Sequence, residues 1–401
     1  MTGATFFYAS LGAELICFHV DEGSGELRRQ ASITLPGSVQ YAWPHATGSH
    51  LYVASSDGGP PAAGGCGGSN HHLGALRIDP SSGRLSPEGA PVVLRHRPIH
   101  LSTDIPSEYA LIAYSEPSAL SVHEIRADGS LGREVAQPDV RDCGSYAHQI
   151  RVFPSNRRAV LVTRGHDADA DHAEVPGALK TFGYEKGVLT PERSIAPDGG
   201  YGFGPRHLDF HPRHPWVYLS LERQNQLQLF RMSGEDLDER PAGSVPTLAR
   251  PDRKGPRQMA GAVHVHPGGR HVYGAERSDP VRLENSVPVC VPGENAILVF
   301  AIDPADGRPS LVQREPTRGL HPRTFSIHPE GRLLIAANKS SALVKTAGQL
   351  HQVHGGFDIF RIDSDGRLAF LRSYPIDASQ LPIFWSGFVR VQAARPQRET
   401  T

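Results

Sequence analysis

Short apolar runs broken by turn-forming residues fill this chain from end to end. One phrase recurs: an apolar strand closing on F-x-I or a variant, a turn rich in Asp and Gly, then a second short strand. It reads FHVDEGSGEL from Phe18, LRIDPSSGRL from Leu76, HEIRADGSL from His123 and FGYEKGVL from Phe182. It continues as FRMSGEDL from Phe230, FAIDPADGRPSL from Phe300 and FRIDSDGRL from Phe360. Aspartate and glycine supply tight-turn geometry, and β-branched and aromatic residues suit a half-buried strand. A second phrase lies between the copies: a strand, a turn of the Pro-x-Gly-Arg kind, then a very apolar strand. It stands at Pro154, Pro212, Pro267 and Pro329, with weaker copies at Ala46 and Pro106. That makes six complete copies against seven outer hairpins.

The missing copy is split between the ends of the chain. FWSGFVRV from Phe384 supplies an inner strand, and TFFYAS from Thr5 supplies its partner. The pattern therefore predicts an all-β chain: a seven-bladed β-propeller of four-stranded blades, its ring closed by the N- and C-terminal strands. Closure removes exposed sheet edges. Residues 1–391 are expected to form this single domain, with 392–401 a disordered tail. A pair of β-sandwiches is the competing architecture, but it has no need of seven outer hairpins.

The totals narrow the function classes. The chain has 401 residues and a formal net charge of -1, which gives no support for nucleic acid or an anionic membrane as a partner. No apolar run approaches the roughly 20 residues that a bilayer span needs. The opening MTGATFFYASLG lacks a basic stretch followed by an apolar one, so no signal peptide is expected. Cys17, Cys66, Cys143 and Cys290 are scattered, without a CxxC pair. That suits a reducing, cytoplasmic setting and argues against a disulfide scaffold or a four-cysteine zinc site. The stretch GGPPAAGGCGGSN has no GK[ST] and no helix after it, so it reads as a flexible loop rather than a phosphate cradle.

A propeller also predicts where chemistry belongs. Each inner strand crosses from one face to the other, turns, and the second strand returns. The start of the first and the end of the second share a face. Six residues before the repeated turn stand Gln40, His100, His148, Arg206, Gly261 and Arg323; ten after it stand Ser56, Glu116, Arg164, Glu222, Arg277 and Lys339. Nearly all are polar, beside strands otherwise apolar, so they form a ring of His, Arg, Glu and Lys around one channel mouth. His207, Glu276 and Trp385 complete the substrate-binding set, with His100, Glu116, Arg164, Arg277 and Lys339. Long loops over the same face are expected at Gly58–His72, Gly165–Gly177, Ser278–Glu294 and Ser340–Gly356. Several carry histidine. His71, His166 and His172 are the candidates if a metal were held. They lack a recognised ligand spacing, so exposed polar loop is the favoured reading and neither metal nor cofactor is expected.

Whole segments carry a family resemblance. FGPRHLDFHPRHPWVYLSLERQNQLQLF, from Phe203 to Phe230, resembles a central blade of the 6-phosphogluconolactonase/lactonase propellers. So do AGAVHVHPGGRHVYGAERS, HPRTFSIHPEGRLLIAANKSS and SYAHQIRVFPSNRRAVLVT. The G-P-R-H segment is fairly specific, whereas the P-D-G-R turns are generic. The family includes sugar-lactone hydrolases and 3-carboxy-cis,cis-muconate cycloisomerases, which act without a metal through His, Glu and Arg at the channel mouth. The resemblance implies His148, Arg206, Glu222 and Arg323 as catalytic residues. Ring opening needs a base for water, stabilisation of an oxyanion and an acid for the leaving alkoxide. His148 is the expected base, Glu222 would orient or share the proton, and the two arginines would hold an anionic group. The leading expectation is a hydrolase for a small anionic lactone. The alternatives are a cycloisomerase taking an unsaturated carboxylate, and a non-catalytic propeller that binds a partner protein. Oligomeric state stays open. The chain departs from compact lactonases in its longer face loops and in the segment inserted after Arg277.

Overall fold

In a computed structural model, the described residues are 4–59, 67–138, 142–250, 257–278, 281–284, 287–291, 293–346, 348–376 and 381–392. Most of the predicted tail, 393–401, lies outside them. The described strands form eight sheets, and seven are blades of a ring. The innermost strands are Ser38–Pro44, Pro98–Thr103, Ala147–Val152, Pro205–Phe210, Gln258–Val265, Pro322–Ile327 and Ser386–Arg390. We number blades 1 to 7 in that order. In blade 7, Ser386–Arg390 pairs antiparallel with Thr5–Leu11, in a register running from Thr5 opposite Arg390 to Ala9 opposite Ser386. The two ends of the chain thus share one sheet.

The second strand of each blade carries the deepest burial. His50–Ser56 and Trp216–Leu221 are buried at every position, because each is covered by a neighbouring blade on both faces. Between blades, recurring polar contacts fix the packing. Tyr8, Tyr52, Tyr218 and Tyr273 are fully buried on second strands. Each hydroxyl donates to a glycine carbonyl in the outer hairpin of the next blade: Gly83 at 2.7 Å, Gly129 at 3.1 Å, Gly307 at 2.7 Å and Gly366 at 2.7 Å. All four glycines have positive φ, a turn conformation that favours glycine.

Histidines do related work at the inner turns. The Nδ1 atoms of His45, His211, His266 and His328 each accept a backbone N–H two residues on. His211 and His266 then reach the carbonyls of Gly269 and Gly331 in the following blade through Nε2, at 2.7 and 3.0 Å. Only a neutral ring can accept at one nitrogen and donate at the other.

The eighth sheet corrects the loop expectation for blades 5 and 6. The inserted segments are not irregular loops. Val281–Glu284 pairs with Val287–Cys290, and Ala342–Thr346 pairs with Gln349–Val353. The two hairpins join in parallel at Cys290 and Val344. Val289, Cys290, Val344 and Leu320 are buried around this junction.

Two measurements check this packing. Tyr273→Phe leaves the Gly366 carbonyl without its donor and should cost about 1–2 kcal/mol, read as a lower denaturant midpoint. The pH dependence follows from the turn histidines. Burial lowers the folded-state pKa of His45, His211 and His328 below 6.5. The unfolded chain then binds more protons at low pH, so stability is present above the unfolded value and is lost as pH falls below it. The apparent Tm should drop on acidification from pH 6.5, and a Tm unchanged there would contradict the neutral caps.

Candidate active site

The face where inner strands begin and second strands end holds a cavity of 1020 Å³. Its walls include His148, Arg164, Arg206, Glu222, Arg323 and Glu116. These come from blades 2, 3, 4 and 6. His148 and Arg206 stand near the starts of their inner strands; Arg164 and Glu222 lie just past the ends of the second strands.

Glu222 organises the cavity. Its carboxylate is 3% exposed and meets three guanidinium groups. Arg164 Nη1 lies 2.6 Å from Oε2, Arg206 Nε lies 3.2 Å from Oε1, and Arg277 Nη2 bonds the same Oε1. Burial alone would raise the Glu222 pKa, but Arg164, Arg277 and Arg206 together hold it well below the usual carboxylate range. Glu222 therefore stays ionised. The expectation that it shares a proton is corrected: its role here is to fix arginines. Burial and Arg277 pull the Arg206 pKa down while Glu222 opposes them. Its guanidinium stays charged through its pairing with the ionised Glu222.

His148 faces this cluster. Its ring is buried, with its centroid 5.0 Å from that of His207. Burial, then Arg206 and Arg164, push its pKa well below 6.5 against a smaller pull from Glu222. The ring is neutral, as a base must be. It is also a weaker proton acceptor than a solvent-exposed histidine, which revises the expectation of an unperturbed value. Arg323 lies over the Phe384 ring at 4.2 Å and lines the same cavity.

Other predicted residues take different places. His100 is fully buried between Tyr41 and His207, at ring-centroid distances of 4.1 and 6.1 Å, and does not line the cavity. His207 lies behind Arg206, whose Nη1 is 3.2 Å from its Nδ1. Arg277 acts through Glu222. Glu276, its strand neighbour, is fully buried and points elsewhere: Oε2 accepts from Thr247 Oγ1 at 2.6 Å, and burial raises its pKa to about 7. Successive strand residues face opposite sides, so the two could not both reach the site. Lys339 does not line the cavity, and its backbone bonds His321 and Ile383. Trp385 is corrected most clearly. It packs in the core between blades 7 and 1 and borders a separate 240 Å³ cavity with Tyr41, Asp209 and His264.

The metal candidates do not converge. His71 stands on a strand rather than in a loop, and its Nδ1 is 2.9 Å from Ser56 Oγ. His166 and His172 line the cavity from the 165–177 segment, where His172 Nδ1 meets Asp169 Oδ1 at 3.0 Å. Among the described residues, no three His, Cys, Asp or Glu side chains form a metal cage. Counting from the turn missed Arg97, Tyr146, Arg223 and Arg257, which also line the cavity. Arg97 precedes Pro98, at the start of the blade 2 inner strand, and its Nη2 donates to Gln40 Oε1 at 2.5 Å. Tyr146 is two residues before His148, and the Arg164 guanidinium sits 5.8 Å from its ring centre.

A cavity lined by arginine and histidine at the mouth of a seven-bladed ring defines the class: a propeller with a cationic channel mouth. The family model described as "Lactonase, 7-bladed beta-propeller" matches residues 7–355, and the chain belongs to that family. Among curated relatives, the 6-phosphogluconolactonase of Bacillus subtilis is 27% identical over 322 residues, 76% of this chain and 79% of its own. That of Serratia proteamaculans is 26% identical over 365 residues, 88% of this chain and 90% of its own. Among solved structures, the periplasmic gluconolactonase of Pseudomonas aeruginosa superposes with a TM-score of 0.69 at 21% identity, covering 97% of this chain and 100% of that one. This last likeness is one of fold.

If Glu222 fixes three arginines, removing its charge must be costly. Glu222→Gln leaves buried cations uncompensated and should destabilise by about 3–5 kcal/mol in chemical denaturation, with partial recovery in added phosphate. A loss below about 1 kcal/mol would contradict this role.

Proposed function

We propose that this protein hydrolyses a small anionic lactone of the sugar-acid kind. The observation that carries the reading is a neutral, buried His148 facing arginines fixed by Glu222. The names of the Bacillus and Serratia relatives support the substrate class.

In this reading Arg206 and Arg323 attract the anionic substrate and hold it beside His148. His148 takes a proton from water as the water oxygen bonds to the lactone carbonyl carbon. The adjacent guanidinium groups stabilise the oxyanion that forms. Collapse breaks the ring C–O bond, and His148 returns the proton to the leaving alkoxide oxygen. The product is a hydroxy acid, which ionises and releases one proton to solvent. The weak basicity of His148 also has a place: an arriving anion offsets the arginine field and raises the ring's proton affinity when a base is needed. The chemistry would proceed from this chain's side chains alone, in a reducing compartment such as the cytoplasm, in keeping with cysteines scattered along the sequence without a CxxC pair.

The test is an assay of purified protein on lactone and muconate panels. Lactone opening by the wild type, lowered about 10²–10⁴-fold in His148→Asn, is expected. The kcat/KM profile should stay level down to pH 6.5 and fall only below it, because the free-enzyme value of His148 lies under 6.5. The acid limb of kcat should lie at higher pH than that of kcat/KM. Turnover of muconates without lactones would replace this reading with the cycloisomerase one. An acid limb of kcat/KM at or above 6.5 would remove His148 as the base.

A further inference from the structure

The proposed chemistry uses Arg206, Arg323 and Arg164 around His148. Three more arginines line the same cavity: Arg97, Arg223 and Arg257. Six arginines face four lining carboxylates, Glu116, Asp167, Asp169 and Glu222, so two positive charges are unbalanced. A single carboxylate or lactone carbonyl does not match that surplus.

Arg223 is the buried member of the second group, with its side chain 4% exposed. Its place is prepared by the chain. Gly204 packs against it, and any side chain at 204 would collide with Arg223 Nε. Its Nη2 donates to the Phe203 carbonyl at 3.4 Å. Its Nη1 is buried and makes no hydrogen bond among the described residues. A buried guanidinium with an unused donor on a cavity wall is a costly arrangement unless an anion visits it.

What meets Arg223 here is a strap from blade 3. Asp167 Oδ1 lies 3.1 Å from its Nε, and Glu174 Oε1 lies 3.6 Å from Nη2. The strap, residues 165–177, is closed by reciprocal backbone bonds between His166 and Val175 at 2.9 Å. Asp167 is 49% exposed and also reaches Arg257 at 3.6 Å. Ion pairs with one exposed partner are weak, so a stronger anion can displace Asp167.

We propose that Arg223 is a specificity residue: it binds a second anionic group at the end of the substrate remote from the lactone, taking the place that Asp167 holds beside its Nε. The group is a phosphate monoester or a second carboxylate, both of which suit a planar fork of donors. This inference rests on the lactone-hydrolase reading for the location of the reacting end, not for the anion contact.

Binding of open-chain acids tests it without turnover. Calorimetry would compare gluconate, 6-phosphogluconate and glucarate on the wild type, Arg223→Gln and Asp167→Asn. The wild type should prefer at least one doubly anionic acid over gluconate by about 10-fold or more, and which one distinguishes phosphate from carboxylate. Arg223→Gln should abolish that preference while gluconate binding changes less than about 3-fold. Asp167→Asn should tighten the doubly anionic acid alone. Equal weakening of all three acids in Arg223→Gln, or no preference in the wild type, overturns the proposal. If Arg223→Gln does not fold, Asp167→Asn decides: unchanged affinity overturns it. Should the acids behave as expected while the wild type opens none of gluconolactone, its 6-phosphate and glucarolactone, the hydrolase reading fails and the anion contact stands.

Discussion

A single buried carboxylate governs this site. Glu222 is bonded by Arg164, Arg206 and Arg277, which come from three different blades. Burying a guanidinium is unfavourable unless a carboxylate compensates it, and one carboxylate among three guanidinium groups leaves a net positive field. That field does two things at once. In the proposed reading it attracts an anion, and it adds to burial in keeping His148 unprotonated. Neither effect would survive if the arginines could swing into solvent. The rigid ring is what denies them that freedom, because each is anchored at a strand start or strand end that the blades hold in place.

The scaffold separates stability from chemistry. Tyrosine hydroxyls reaching glycine carbonyls stitch several adjacent blades together. Histidine caps do the same at the inner turns, on the face away from the cavity. The same residue type therefore carries two functions. Turn histidines satisfy backbone groups, whereas His148 is buried with its Nδ1 making no hydrogen bond among the described residues.

Much of this was legible in the sequence, for physical reasons. Each outer turn carries a glycine at positive φ, and the turn repeats with each blade, so the blade count could be read from it. Strand starts and ends are fixed by the turn between them, so counting from that turn reached His148, Arg206, Arg164, Glu222 and Arg323. The same counting failed where a neighbour was added without regard to alternation. Glu276 faces away from the site that its neighbour Arg277 serves, and Trp385 packs between blades. It also missed residues just outside the counted positions. Arg223 directly follows Glu222, and Gly204 in the G-P-R-H segment was the available signal, since a glycine beside a strand start marks close approach by another group. The small eighth sheet pairs insertions some 50 residues apart, and no local pattern announces which partner a hairpin will find.

The most direct test of the account is a crystal structure of the protein with a sugar-acid product bound. The account predicts the product's carboxylate between Arg206 and Arg323, with His148 within hydrogen-bond reach of the former lactone carbon's oxygens. A product bound instead in the cavity beside Trp385, Asp209 and His264, with the arginine cluster unoccupied, would contradict it.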